Sequence, residues 1–298
     1  MRVLVLGAAG MLGHRLARRL APNHDVFGTV RALDHGAVRT VLGEACEEVL
    51  TGVEATDLGS VANALAAARP DVALNCIGII KQVREAQDPT TSIEVNALFP
   101  HRLADLCRST GSRLVHFSTD CVFSGSHGSY EESDTPDATD LYGRSKLLGE
   151  VEGSGCLTLR TSILGRDLVN DVGLLEWFLS NRGGQVRGFR RAIFSGFPTV
   201  ELARIVEWII ADHAELNGVY HVASPPIDKY DLLVRIRDAM GLDIEIVADD
   251  DLEVDRSLNC DRFRAATGFE PPAWEDLVTA LAEDAVPYDE WRSQNEPA

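Results

Sequence analysis

Nowhere in these 298 residues does an apolar run approach the ~20 residues that a membrane-crossing helix needs, so no transmembrane segment is expected. Basic charge is scarce: 28 Lys and Arg stand against 46 Asp and Glu, a net charge of -18, and no local basic patch offsets it. A surface of that sign repels phosphate backbones and anionic lipid, so neither nucleic acid nor membrane is an expected partner. The six cysteines (Cys46, Cys76, Cys107, Cys121, Cys156, Cys260) include no C-x-x-C pair and have no histidine-rich partner sequence. That excludes a disulfide framework and a zinc site as first readings. The acidic stretch ADDDLEVD (248–255) lacks the glycine and spacing of an EF-hand loop and reads as a solvated turn, and no metal is expected. The opening MRVLVLGAAG runs into glycines without the long apolar stretch of a signal peptide, which points to a cytoplasmic protein with reduced thiols.

What is present is an ordinary globular composition, 45% hydrophobic and 25% charged, in a chain long enough for one large or two modest domains. Strand-like and helix-like segments alternate. RVLVL leads through a glycine turn into HRLARRLA; then come DVFGTVR, VANALAAA, PDVALNCIG, the long helical stretch TSIEVNALFPHRLADLCRST, and SRLVHFSTD. A helix through Lys146 continues into LLGEVEG, and GCLTLRTS is a further strand. This order predicts an α/β fold with a doubly wound parallel sheet covered on both faces. From about residue 166 the regularity loosens: GLLEWFLSN, VELARIVEWIIAD and DLLVRIRDAMG are amphipathic helices and GVYHVAS is a strand. Two units are expected: a dinucleotide-binding domain of residues 1–165 plus 196–224, and a smaller discontinuous substrate lobe of 166–195 plus 225–298. The final SQNEPA reads as a frayed tail.

Gly7, Gly10 and Gly13 form G-x-x-G-x-x-G between the first strand and the first helix. Glycines there permit positive φ, let backbone amides approach a pyrophosphate and bring helix close to strand. The second strand ends in FGTVR, so Arg31 stands where an acid would hold a ribose 2′-hydroxyl; a guanidinium suits a 2′-phosphate, and NADP(H) is favoured over NAD(H). Tyr142 and Lys146 are four residues apart on one helical face. A cation held near a phenol favours the phenolate and tunes it for proton exchange near neutral pH. Thr119, at the end of a parallel strand, lies where ligands of open α/β sheets sit.

These features resemble the extended short-chain dehydrogenase/reductase superfamily, and more narrowly its dTDP-4-dehydrorhamnose reductase-like, sugar-nucleotide-binding branch. The motif matches are STDCVFSG (118–125), YGRSKLLGE (142–150), GFPTVELA (196–203), GVYHVAS (218–224) and RSLNCDRFRAATGFEPPAW (256–274), spread over essentially the whole chain. The resemblance implies reduction of the 4-keto group of a nucleotide-linked 6-deoxysugar, with Thr119 polarising the carbonyl, Tyr142 as general acid, and Lys146 tuning the tyrosine and touching the nicotinamide ribose. It further implies cofactor contacts from Gly7, Gly10, Met11, Leu12, Gly13, Asp57, Leu58 and Gly78, and substrate contacts from Thr119, Cys121, Phe123, Tyr142 and Asn259. Dimers are common in the superfamily, so a homodimer is an expectation without an interface to point to.

The match has departures. Cys121 replaces the usual tyrosine; in related GDP-fucose synthases a cysteine there is an acid/base in epimerisation, which makes a bifunctional epimerase-reductase an alternative. Those enzymes also use a histidine after the LR strand, and none occurs here between His127 and His213. Arg256 is followed by Ser257 where the family has proline. Arg160, Arg187, Arg190 and Arg191 are candidates either for a diphosphate or for solvated surface. A second alternative is a non-catalytic NADP-binding subunit on the same fold, as in the methionine adenosyltransferase system. Dehydration, which uses T-D-E after the strand, is disfavoured because Cys121 follows Asp120.

Overall fold

The protein is described by a computed structural model covering residues 1–81, 87–169, 172–284 and 286–293. Residues 294–298 of the tail expected to fray lie outside the described residues. In chain order the first half runs β1 (Arg2–Leu6), α1 (Gly13–Leu20), β2 (Asp25–Thr29), α2 (Gly36–Ala45), β3 (Glu48–Leu50), α3 (Leu58–Ala68), β4 (Val72–Asn75), α4 (Pro89–Ser92), a π-helical turn (Ile93–Leu98), α5 (Phe99–Thr110), β5 (Arg113–Thr119), α6 (Leu141–Leu148) and β6 (Cys156–Thr161). The second half runs β7 (Ile163–Leu164), α7 (Leu174–Leu179), β8 (Gln185–Phe189), β9 (Ala192–Phe194), β10 (Phe197–Pro198), α8 (Thr199–Asp212), β11 (Gly218–His221), β12 (Ile227–Asp228), α9 (Lys229–Met240), β13 (Glu245–Asp249), β14 (Val254–Asp255), α10 (Asp261–Thr267), α11 (Trp274–Ala282) and α12 (Tyr288–Ser293).

Seven strands form the main sheet in the order β3-β2-β1-β4-β5-β6-β11, and every pair in it is parallel. Its winding reverses between β1 and β4, which opens a crevice at the carboxyl ends of those strands, the usual ligand position of such sheets. Burial on both faces explains why β1 reads as a continuous apolar run. Val3 and Val5 enter one core cluster with Leu16 of α1 and Val206 of α8, while Leu4 and Leu6 enter the other with Leu65 of α3 and Leu103 of α5. In the smaller sheets β8 pairs with β13, and β9 lies between β12 and β14, so the segment around 185–194 is stitched to the segment 227–255. The closing helix α12, in the stretch expected to belong to the lobe, reaches across to α2 and α1.

Three local readings differ from the expectation. α2 and the three-residue β3 were not anticipated; β3 is an edge strand of half-buried and exposed residues with too short a pattern to register. The long helix around residue 99 is broken by the π turn at Ile93–Leu98. Pro100 lacks the N–H that would reach the Asn96 carbonyl, so the ladder must reorganise there. Finally, α6 stops at Leu148 rather than continuing through Glu150. A Cβ on Gly149 would sit 1.9 Å from the Asn96 carbonyl oxygen, so the chain turns away at this close backbone contact.

Candidate active site

The glycine turn after β1 is built for close backbone approach. Gly7 has φ +77°, and its N–H donates to the Thr29 hydroxyl of β2 at 3.2 Å. A Cβ at Gly13 would lie 2.2 Å from the Gly7 carbonyl oxygen, so only hydrogen allows α1 to start against the turn. Gly10 donates its N–H to the Gly7 carbonyl at 3.1 Å. Its own carbonyl accepts from Nδ1 of fully buried His14 at 2.8 Å. In the neutral ring that leaves Nε2 to accept from the Tyr288 hydroxyl of α12, also at 2.8 Å. The two ends of the chain therefore meet behind the turn. Leu12 is buried and Met11 half-buried.

Arg31 lies just beyond β2, exposed, with no ion-pair partner for its guanidinium among the described residues. Asp57 caps α3: its Oδ1 accepts from the N–H groups of Gly59 (2.9 Å) and Ser60 (3.3 Å), while Leu58 packs against the second core cluster. A Cβ on Gly78 would stand 3.9 Å from the Lys146 ammonium and 3.5 Å from Asn96 Oδ1. The loop after β4 thus runs beside the lysine.

Thr119 ends β5, and its neighbours on α6 complete one cluster. The Thr119 hydroxyl lies near the Tyr142 phenol; it donates to Asp120 Oδ1 at 3.1 Å and accepts from the Cys121 N–H at 3.1 Å. Tyr142 is half-buried; Thr119 and Lys146 are buried. Burial pushes the phenol above its ordinary value, and Cys121, Asp120 and Asp140 act in the same direction against the opposing effect of the nearby Thr119 hydroxyl. Lys146 does not supply the expected depression of the phenol: its ammonium donates to the Phe117 carbonyl at 2.7 Å. Burial lowers the amine to about 8, with Glu150 and Cys76 opposing. The phenol is therefore protonated near neutral pH, the form a proton donor needs.

Asn96 is a site residue that sequence reasoning missed. From the π turn it holds both backbone atoms of Ile79 (Ile79 N–H to Oδ1 at 2.8 Å, Nδ2 to the carbonyl at 3.0 Å) and donates to the Ser145 hydroxyl at 3.3 Å, tying the Gly78 loop to the helix of Lys146. The only trace in the sequence was Pro100 inside a helical pattern. Also missed was the buried pair of Glu150 and Arg160 at 2.7 Å behind Lys146. Glu150 also accepts from Ser118 at 2.6 Å, and Arg160 donates to His221 Nε2 at 3.1 Å, so Nδ1 of His221 donates to the Tyr130 carbonyl at 3.0 Å.

Several expected contacts are placed elsewhere. Phe123 is fully buried, stacked on Tyr130 at 4.2 Å with the Arg160 guanidinium 5.3 Å from its ring, and presents no face to the cleft. Asn259 is committed to the start of α10, accepting from Asp261 N–H at 2.7 Å, and it lines a surface depression of about 370 Å³ with Glu131, Glu132 and Ser133 rather than joining the cluster at Thr119. Arg160 is taken by Glu150. Arg187, Arg190 and Arg191 pair with Asp249, Asp251, Asp250 and Glu253, so the acidic turn neutralises the arginines proposed for a diphosphate. Cys121 is half-buried beside Tyr142, its thiol pushed up to about 12 by burial and by Asp120.

A parallel sheet of this order, with a hydroxyl, a phenol and an amine gathered at the end of β5, is the architecture of an extended short-chain dehydrogenase/reductase. The family model described as RmlD substrate binding domain matches residues 1–286, and the chain belongs to that family. A Streptomyces antibioticus protein named a probable dTDP-4,6-dihydroxy-2-methyloxan-3-one 4-ketoreductase is 36% identical over 98% of this chain and 92% of its own length. The zebrafish (Danio rerio) methionine adenosyltransferase 2 subunit beta is 29% identical over 81% of this chain and 74% of its own. By contrast, the match to a Streptomyces griseus dTDP-4-dehydrorhamnose reductase, at 35% identity, spans only 43% of that protein. Among solved structures, dTDP-4-dehydrorhamnose reductase from Bacillus anthracis, in complex with NADP, superposes with a TM-score of 0.78 over 94% of this chain and 98% of its own; at 19% identity that is a likeness of fold.

Proposed function

We propose that the protein is an NAD(P)H-dependent reductase of the 4-keto group of a nucleotide-linked 6-deoxysugar, with NADP(H) favoured, serving deoxysugar or surface-glycan synthesis in the cytoplasm. The observation that carries this reading is the meeting of the Thr119 hydroxyl and the protonated Tyr142 phenol at the end of β5, with Lys146 behind them. Residues 1–165 plus 196–224 are assigned to the dinucleotide half and 166–195 plus 225–298 to the substrate lobe.

The turn at Gly7, Gly10 and Gly13 fits a dinucleotide, because hydrogen alone at Gly13 lets α1 start directly against the turn, which brings the helix N-terminus to where a pyrophosphate would sit. Met11 and Leu12 in the same turn, Asp57 (whose Oδ2 has no partner among the described residues) with Leu58, and Gly78 complete the cradle, while Arg31 suits a 2′-phosphate. When bound, the reduced nicotinamide supplies a hydride. Thr119 then orients the substrate carbonyl by a hydrogen bond, and Tyr142 delivers the proton to the oxygen as the alcohol forms. Lys146 holds positive charge beside the loop that would carry the nicotinamide ribose.

Epimerisation through Cys121 is disfavoured because a thiol raised to about 12 does not take a carbon-bound proton at neutral pH. A binding-only subunit has no need of a Thr119 hydroxyl and a Tyr142 phenol gathered at one place. The test is NADPH consumption with a panel of nucleotide-linked 4-keto-6-deoxysugars, run beside Tyr142→Phe. Turnover that depends on one sugar and collapses in the variant is expected; tight NADPH binding without turnover on any sugar contradicts the reading.

A further inference from the structure

Ser118 of β5, Arg160 of β6 and His221 of β11 stand in register on adjacent strands, and a single carboxylate, Glu150, ties the row together. Glu150 turns back onto these strands because α6 stops at Leu148. Its Oε1 accepts from the Ser118 hydroxyl at 2.6 Å and from Arg160 Nε at 2.8 Å, and its Oε2 accepts from Arg160 Nη2 at 2.7 Å. Arg160 Nη1 donates to His221 Nε2 at 3.1 Å, so the guanidinium is fixed from two sides. Well-packed apolar residues often hold a fold as firmly as a buried ion pair does, and stability alone does not account for this one.

The row adjoins the lysine of the site. The Lys146 ammonium rests on the Phe117 carbonyl at 2.7 Å; the next residue is the Ser118 that Glu150 holds, and Thr119 follows. Arg160 meets the carboxylate from β6, while the oxygen it shares with Ser118 is turned to β5, so the pair presents its negative end to the strand that carries Lys146. The other titratable groups facing Lys146 are Cys76 at the end of β4 and His116 of β5, with the protonated Tyr142 one turn earlier on α6. Burial raises the Cys76 thiol and keeps the His116 ring neutral. Glu150 is the one carboxylate among these groups, and it opposes the burial that lowers the amine to about 8.

We infer that Glu150 is a positioning residue for Lys146: it pins the strand end on which the ammonium rests and supplies that ammonium's counter-charge, while Arg160 holds the carboxylate in place. The role rests on the proposed function only for the use made of the charge, which is to hold the nicotinamide ribose. Glu150 thereby sets the upper pH limit of that contact.

The test is the titration of Lys146 itself. The chain has three lysines, Lys81, Lys146 and Lys229, so carbon-13 labelling at lysine Cε gives three NMR signals, and Lys146→Arg identifies the one to follow. Glu150→Gln alone would strand the buried guanidinium, so the variant compared with the native chain combines Glu150→Gln with Arg160→Met, with melting temperature as the check on folding. Lys146 should titrate near 8 in the native chain and about one pH unit or more lower in the double variant, because burial then acts unopposed. The sign separates this from a loosened core, which would hydrate the amine and move it up toward 10.5. An unchanged or raised titration overturns the inference. NADPH affinity of the double variant should stay within about twofold of native near pH 6 and fall about fivefold below native near pH 8, the ratio of charged Lys146 that such a shift leaves. A lowered titration with unchanged NADPH affinity near pH 8 leaves the inference standing and removes the ribose contact from the proposed function instead.

Discussion

At the scale of single residues, the proposed mechanism puts the chemistry on Tyr142 and its pH dependence on Lys146. Tyr142→Phe removes the proton donor but not the shape of the site, so kcat with the 4-keto sugar should fall by about 10²- to 10⁴-fold while NADPH affinity stays within about twofold, read by steady-state kinetics and fluorescence titration. Lys146 titrates at about 8 rather than at 10.5. Because that charge is proposed to hold the nicotinamide ribose, kcat/KM should fall as pH rises through about 8, and Lys146→Arg should move that limb upward. The same shift acts on folding with a definite sign. Between about 8 and 10.5 the unfolded lysine holds a proton that the folded one has lost, so stability increases with pH across that window. Thermal melts of Lys146→Met should lack this rise. The trio was legible in the sequence because strand end, tyrosine and lysine obey fixed spacings. Its electrostatics were not, because burial around the phenol and the turn of Lys146 toward the Phe117 carbonyl depend on packing from distant segments. Phe123 and Asn259 mislead for the same reason: a motif records which residue is present, not whether its neighbours leave it open.

At the scale of elements, the glycine turn and the last helix act together. Tyr288 reaches Gly10 through His14, so loss of that hydroxyl should loosen the turn rather than the chemistry. Tyr288→Phe is expected to weaken NADPH binding by about three- to tenfold with kcat little changed, the scale of one buried hydrogen bond; unchanged affinity would show that the strap is only packing. Behind α6, the Glu150 and Arg160 side chains are 7% and 6% exposed. Glu150→Ala would strand a buried guanidinium and should cost about 3–5 kcal/mol in denaturant melts. The main strands and most helices were readable from apolar runs and periodicity. The exceptions have local causes: β3 is three residues long, the π turn answers to Pro100, and α6 ends where Gly149 meets the Asn96 carbonyl. A contact between positions 53 residues apart leaves no mark in either local pattern.

Across the whole molecule, the winding reversal between β1 and β4 opens the crevice on which the proposed chemistry depends, with the glycine turn at its edge. The acidic turn at 249–253 takes up Arg187, Arg190 and Arg191, the arginines that sequence alone left open for a diphosphate. Charge composition argues against polyanion partners, yet a net charge averages over the surface and does not tell which cations are paired. The central claim is that hydride passes to C4 of a nucleotide-linked sugar while Tyr142 supplies the proton. The most direct measurement is turnover of the nucleotide-linked 4-keto-6-deoxysugar with NADPH deuterated at nicotinamide C4 on the transferred face, followed by mass and NMR analysis of the sugar. One deuterium, located at sugar C4 in the alcohol product, is the predicted result. A product without deuterium at C4, or deuterium at another carbon, would contradict it.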